Sequence, residues 1–91
     1  MASLEEAFAK LDMWKNSQTP LKVTVVTNGG IPEILRGQIL STDSVEGLVG
    51  LFVTKDRRYP RLDIRGASFR MGTRFLEATR EDDLLTFEDI S

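Results

Sequence analysis

The chain has no cysteine and no histidine. The first absence excludes disulfides and thiolate metal sites. The second removes the commonest metal ligand and the commonest general base. There is one tryptophan, one tyrosine and three prolines in 91 residues. No stretch approaches the roughly 18 consecutive apolar residues of a membrane span. The first residues lack the basic region and apolar core of a secretory signal, so a cytoplasmic setting with no membrane partner is expected. Ninety-one residues make one domain, 1–91. A β domain of that size without staples often gains stability by burying a face in an oligomer. Charged residues at 29% and hydrophobic residues at 41% argue against disorder.

Catalysis has little to work with. Ser41, Ser44 and Ser68 lack a recognisable activating partner. Glu81-Asp82-Asp83 imitates a metal cluster, yet adjacent carboxylates on a strand point to alternate faces. Asn28-Gly29-Gly30 lacks the Gly-Lys-Ser/Thr ending of a phosphate loop and reads as a hairpin turn. No enzyme activity, cofactor or metal site is expected.

What is present is pattern. Ser3 and Glu6 stand at capping-box spacing, and Leu4, Ala7, Phe8, Leu11 and Trp14 form one apolar stripe. This predicts a helix from Ser3 to about Asn16, docked over the open end of a β structure. Leu21 to Thr27 alternates as a strand with one buried face. Ile34 to Ser44 is a second strand, bent at Gly37. Leu48 to Thr54 is apolar enough for burial on both faces. After the polar turn Lys55–Pro60 come strands over Arg61–Ile64 and Ala67–Met71, separated by a bend at Arg65-Gly66. Thr73 to Ala78 could add another strand. Glu81 to Ser91 is acidic but carries Leu84, Leu85, Phe87 and Ile90, which predicts a docked tail or short helix.

Charge is uneven along the chain. Residues 55–80 hold eight basic groups against Asp56, Asp63 and Glu77, whereas residues 81–91 hold five acidic groups and no basic one. Such asymmetry marks either a nucleic-acid surface beside an acidic tail or a charged strand face paired with that tail.

Two strings carry a resemblance. Leu35-Arg36-Gly37-Gln38-Ile39-Leu40-Ser41-Thr42-Asp43 is a glycine-bent strand ending in Asp. About twenty residues later comes Ile64-Arg65-Gly66-Ala67-Ser68-Phe69. In this order, behind a capped helix, they resemble the two halves of the Sm/Lsm/Hfq signature over residues 3–71. The resemblance implies a mainly β fold: a small SH3-like, Sm-like barrel of five bent antiparallel strands, with an N-terminal helix, a core over 3–71 and an acidic C-terminal extension over 72–91. It also implies self-assembly into a ring of roughly five to seven copies and a pocket for single-stranded RNA at Asp43, Arg65 and Gly66. An arginine can stack on and hydrogen-bond a base while its glycine neighbour admits close approach. On this view Arg65→Ala reduces RNA affinity. Arg57, Arg58, Tyr59 and Arg61 would add attraction and a stacking ring. Ser44-Val45-Glu46-Gly47 departs from the family pattern, offering no stacking aromatic and no Asn after Asp43. The alternative function is a non-catalytic structural or protein-interaction module on the same barrel, without RNA.

Overall fold

The computed structural model describes residues 2–91. Helix α1, Leu4–Asn16, starts as the sequence predicts. The Ser3 hydroxyl accepts from the Glu6 N–H at 3.1 Å, and the Glu6 carboxylate accepts from the Ser3 N–H at 3.0 Å, which satisfies two otherwise orphaned donors. Ala7, Phe8, Leu11 and Trp14 are buried, while Leu4, at the frayed end of the stripe, is 40% exposed. Among the described residues no helix is long and apolar enough to cross a membrane.

Seven antiparallel strands follow: β1 Leu21–Val26, β2 Glu33–Asp43, β3 Leu48–Val53, β4 Arg61–Asp63, β5 Ser68–Met71, β6 Phe75–Arg80 and β7 Asp83–Asp89. They form one sheet in the order β4-β3-β2-β1-β7-β6-β5. The fold is thus mainly β with one N-terminal helix. Six strand spacings of about 4.8 Å would set the edges of a flat seven-stranded sheet roughly 29 Å apart. The chain crosses from edge strand β4 to edge strand β5 through Ile64–Ala67 alone. Five residue steps span at most about 18 Å, so the sheet must curl. Side chains of β1, β4, β6 and β7 accordingly line one cavity of about 190 Å³. The sheet is nevertheless open, because no ladder joins β4 to β5.

Inside the curl, alternate residues build one core: Leu21 and Val23 of β1, Leu35 and Ile39 of β2, Val49, Leu51 and Val53 of β3, Leu76 and Ala78 of β6, and Phe87 of β7. The buried stripe of α1 belongs to the same cluster, and the helix packs on β2 and β5. The Ala2 N–H donates to the Phe69 carbonyl at 3.2 Å and Lys10 Nζ to the Thr73 carbonyl at 3.0 Å, tying the start and the middle of the helix to the β5 side.

The largest departure from the sequence pattern lies in residues 72–91. They are not an extension outside the core. β7 pairs with β1 from Leu21↔Asp89 to Val26↔Leu84 and with β6 along its other side. Period-2 alternation sets Leu85 and Phe87 inward between the acidic residues. Leu84, Leu85, Phe87 and Ile90 fit a helical spacing equally well, so the apolar pattern alone did not separate strand from helix. The β6–β7 hairpin turns on Glu81 at φ +53°, without the glycine that usually signals such a turn.

The β2 bend also differs in place. The ladder to β3 shifts register between Ile39 and Ser41, so Leu40 is the extra residue and bulges out, 57% exposed. Gly37 lies in regular pairing with Leu21 and Val53 and serves close approach instead. A Cβ there would overlap the Phe52 carbonyl. In β3, Val49, Gly50, Leu51 and Val53 are buried and Phe52 is half-buried, close to the two-faced burial expected.

Candidate nucleic-acid interface

The turn Asp43–Gly47 and the link Ile64–Gly66 meet, although they lie some twenty residues apart in sequence. Asp43 Oδ1 accepts from the Val45 and Glu46 N–H groups at 3.1 and 3.0 Å, closing an Asx turn. Gly47, at φ +68°, lets the chain fold flat against Arg65, and its carbonyl accepts from the Ile64 N–H at 2.8 Å. The bend at Arg65-Gly66 is a turn with Gly66 at φ +71°. Asp43, Arg65 and Gly66 therefore do gather in one region.

Arg65 is not free there. Its backbone N–H donates to Asp63 Oδ1 at 2.9 Å, its guanidinium reaches Asp63 Oδ2 at 3.3 Å, and Glu46 stands 3.8 Å away. Arg80 closes the cluster by donating to the Arg65 carbonyl at 2.7 Å and to Asp63 Oδ1 at 3.4 Å. Two carboxylates thus face the cation that the resemblance assigns to RNA. The cluster holds the β4–β5 link in place and leaves little positive potential to offer a phosphate.

The Arg65 N–H, then the Arg65 guanidinium and Arg80, hold the Asp63 carboxyl below its ordinary range. A carboxyl depressed on folding stabilises the fold above its unfolded pKa and loses that contribution as pH falls through its folded value. Ser3 depresses Glu6 and Ser91 depresses Asp89 in the same direction. Asp63→Asn is therefore expected to make the loss of thermal stability below about pH 4 shallower but not absent. Melting curves between pH 3 and 6 read this directly. An unchanged acid limb would show that the cluster adds nothing to folding.

A second feature lies on the outer face of β3 and β4. The Val53 N–H donates to the Arg58 carbonyl and the Leu51 N–H to the Pro60 carbonyl, both at 2.9 Å, which sets the approach to β4. Tyr59 then leans on Phe52, ring centroids 5.3 Å apart and planes tilted by 38°, and stays 63% exposed. One residue pair further along, Arg61 lies across from Gly50. Gly50 makes room for the Ser41 side chain, whose Oγ sits where a Cβ at position 50 would stand. A groove of about 210 Å³ opens here, lined by Ser41, Thr42, Asp43, Leu48, Gly50 and Arg61. Tyr59, Arg61 and the groove form one strip that ends at Asp43.

The charges around the two features differ. Of the eight cations in residues 55–80, Arg58, Arg65, Arg70, Arg74 and Arg80 each have a carboxylate within 3.8 Å. Among the described residues Lys55, Arg57 and Arg61 have none within ion-pair distance, and all three flank Tyr59 in sequence. Asp83 of β7 lines the cavity inside the curl together with Arg61, but among the described residues no acidic C-terminal residue lies within ion-pair distance of Lys55, Arg57 or Arg61. The sequence alone points to Arg57, Arg58, Tyr59 and Arg61 but not to Phe52, Gly50 and Ser41; Thr42, paired with the buried Val49, turns to the other face, where its hydroxyl donates to Asp12 Oδ1. An apolar residue and a glycine inside a buried-looking strand carried the signal, and only the pairing of β3 with β2 and β4 shows which face they share. No family model, no curated protein and no solved structure matches this chain.

Proposed function

We propose that the chain is a non-catalytic, Sm-like module on an SH3-like curled sheet, and that it binds single-stranded RNA across the outer face of β3 and β4. The observation that carries this is the exposed Tyr59 ring, set against Phe52 between cations without carboxylate partners and beside the Gly50 groove. A base can stack on the tyrosine, Arg57 and Arg61 can attract the backbone, and the Ser41 hydroxyl in the groove offers a hydrogen bond to a sugar or base edge. Arg58 takes a lesser share, because Asp56 lies 3.4 Å from its guanidinium. Asp43, Arg65 and Gly66 serve as the clasp behind this face. A ring of five to seven copies, the assembly the resemblance implies, would use the open edges β4 and β5; the RNA proposal does not depend on it.

Titration of labelled oligo(U) and oligo(A) at several salt concentrations tests the proposal. Three free cations predict log K falling with log salt at a slope of about −2 for a single strand, from roughly 0.7 per phosphate contact. Absence of binding even at low ionic strength defeats it.

A second reading, association without RNA, is favoured by the internal neutralisation of five of the eight cations in residues 55–80 and by exposed apolar side chains such as Ile31, 93% exposed, and Ile34, 50% exposed. It predicts a flat RNA titration.

A further inference from the structure

Alternation along β1 and β7 sends Lys22, Thr24 and Val26, and Leu84, Thr86 and Glu88, to the outer face, opposite the buried Leu21, Val23 and Phe87. The ladder places these outward residues side by side: Lys22 with Glu88, Thr24 with Thr86, Val26 with Leu84. Helix α1 does not cover them, because its buried stripe lies in the core on the other side of the sheet. Lys22 and Glu88 are direct cross-strand neighbours, yet they form no ion pair among the described residues. Ile34 extends the uncharged part of the face from β2, beside Thr24.

We infer that this face is an isologous interface with a second copy of the same chain. A two-fold axis parallel to the strands, midway between β1 and β7, lays β1 of one copy over β7 of the other at the same height. Lys22 then meets Glu88 of the second copy, Thr24 meets Thr86, and Val26 meets Leu84. The three central β1–β7 rows are complementary under the operation: opposite charges, paired hydroxyls, apolar on apolar. At the flanks, Ile34 comes opposite Glu77 of the second copy and Arg36 opposite its Phe75, so the contact centres on β1 and β7. Facing sheets in this aligned arrangement sit about 10 Å apart. The interface leaves the outer face of β3 and β4 open, and it does not rest on RNA binding.

Because the contact joins position 22 of one copy to position 88 of the other, two singly reversed chains test it. Lys22→Glu carries negative charge at both positions, and Glu88→Lys carries positive charge at both. Light scattering without RNA is expected to give wild type the mass of two 10.2 kDa chains at tens of micromolar. Each reversed chain alone is expected to dissociate at least ten times more readily, and their equimolar mixture to recover the dimer, since every 22–88 contact between copies is then attractive. Recovery on mixing also shows that both variants fold. Thr24→Arg, which leaves Lys22 and Glu88 intact, is expected to be monomeric with an unchanged circular dichroism spectrum. The inference is overturned by a wild type that stays at 10.2 kDa to hundreds of micromolar, by a mixture that stays monomeric, or by a mass of several chains that neither reversal lowers, as an edge-paired ring would give.

Discussion

Gly37→Val is expected to remove most or all of the native state. A Cβ at position 37 would overlap the Phe52 carbonyl oxygen and come within 2.8 Å of the Phe52 carbonyl carbon and 3.1 Å of Val53 Cα. These are backbone atoms of β3 held in the β2–β3 ladder, so they cannot turn aside as a flexible side chain would. Gly37 also pairs with Leu21 on its other side, which blocks a sideways shift of β2. Overpacking a core costs about 1–3 kcal/mol where side chains can adjust, and here the ladder itself must break. A chain of this size has about 5–14 kcal/mol of total stability at roughly 0.05–0.15 kcal/mol per residue. Gly66→Ala provides the contrast. Its nearest neighbour is Arg80 Cδ at 4.0 Å, so only the φ of +71° resists the substitution, and about 1–2 kcal/mol is expected. Urea unfolding of both variants checks the pair. Equal losses would mean that the close approach of β2 and β3 at Gly37 is misplaced.

Tyr59→Ala is expected to lower RNA affinity by roughly 5- to 150-fold, the range set by about 1–3 kcal/mol of stacking per base. Little stability should be lost with it, because the ring is 63% exposed and touches the fold through Phe52. Arg65→Ala is expected to leave affinity within about threefold, since Asp63 and Glu46 already occupy its guanidinium and exposed ion pairs of this kind contribute about 0–1 kcal/mol. This ordering reverses what the Ile64-Arg65-Gly66 string alone implies. Parallel titrations of the two variants decide it. A large loss in Arg65→Ala with Tyr59→Ala unaffected would return the site to the clasp.

The helix and the first four strands were legible because period and punctuation agreed. Ser3 and Glu6 mark a start, Asn28-Gly29-Gly30 marks a turn, and Leu21, Val23 and Val25 alternate cleanly. The two glycines that looked alike in sequence do different physical work. Gly37 admits a neighbouring backbone, and Gly66 takes a left-handed turn. Both are conditions only glycine meets easily, so sequence shows that something is required without showing which. β7 was hidden because its inward apolar face is only Leu85 and Phe87, bounded by Asp83 and Asp89, and its turn uses Glu81 rather than glycine. The pairing of Arg65 with Asp63 could be suspected from a separation of two residues, but the approach of Glu46 depends on the Gly47 turn folding onto β4's end. The strip on β3 and β4 needs three strands in register, and register is a long-range property that no short string encodes.

Backbone amide chemical-shift mapping during titration with a short single-stranded RNA tests the central claim most directly. The predicted footprint covers Lys55–Tyr59, Arg61, Phe52, Gly50 and Ser41, and fades as salt is raised. Shifts confined to Asp43–Gly47 and Ile64–Gly66, or no shifts at RNA excess and low ionic strength, would contradict it.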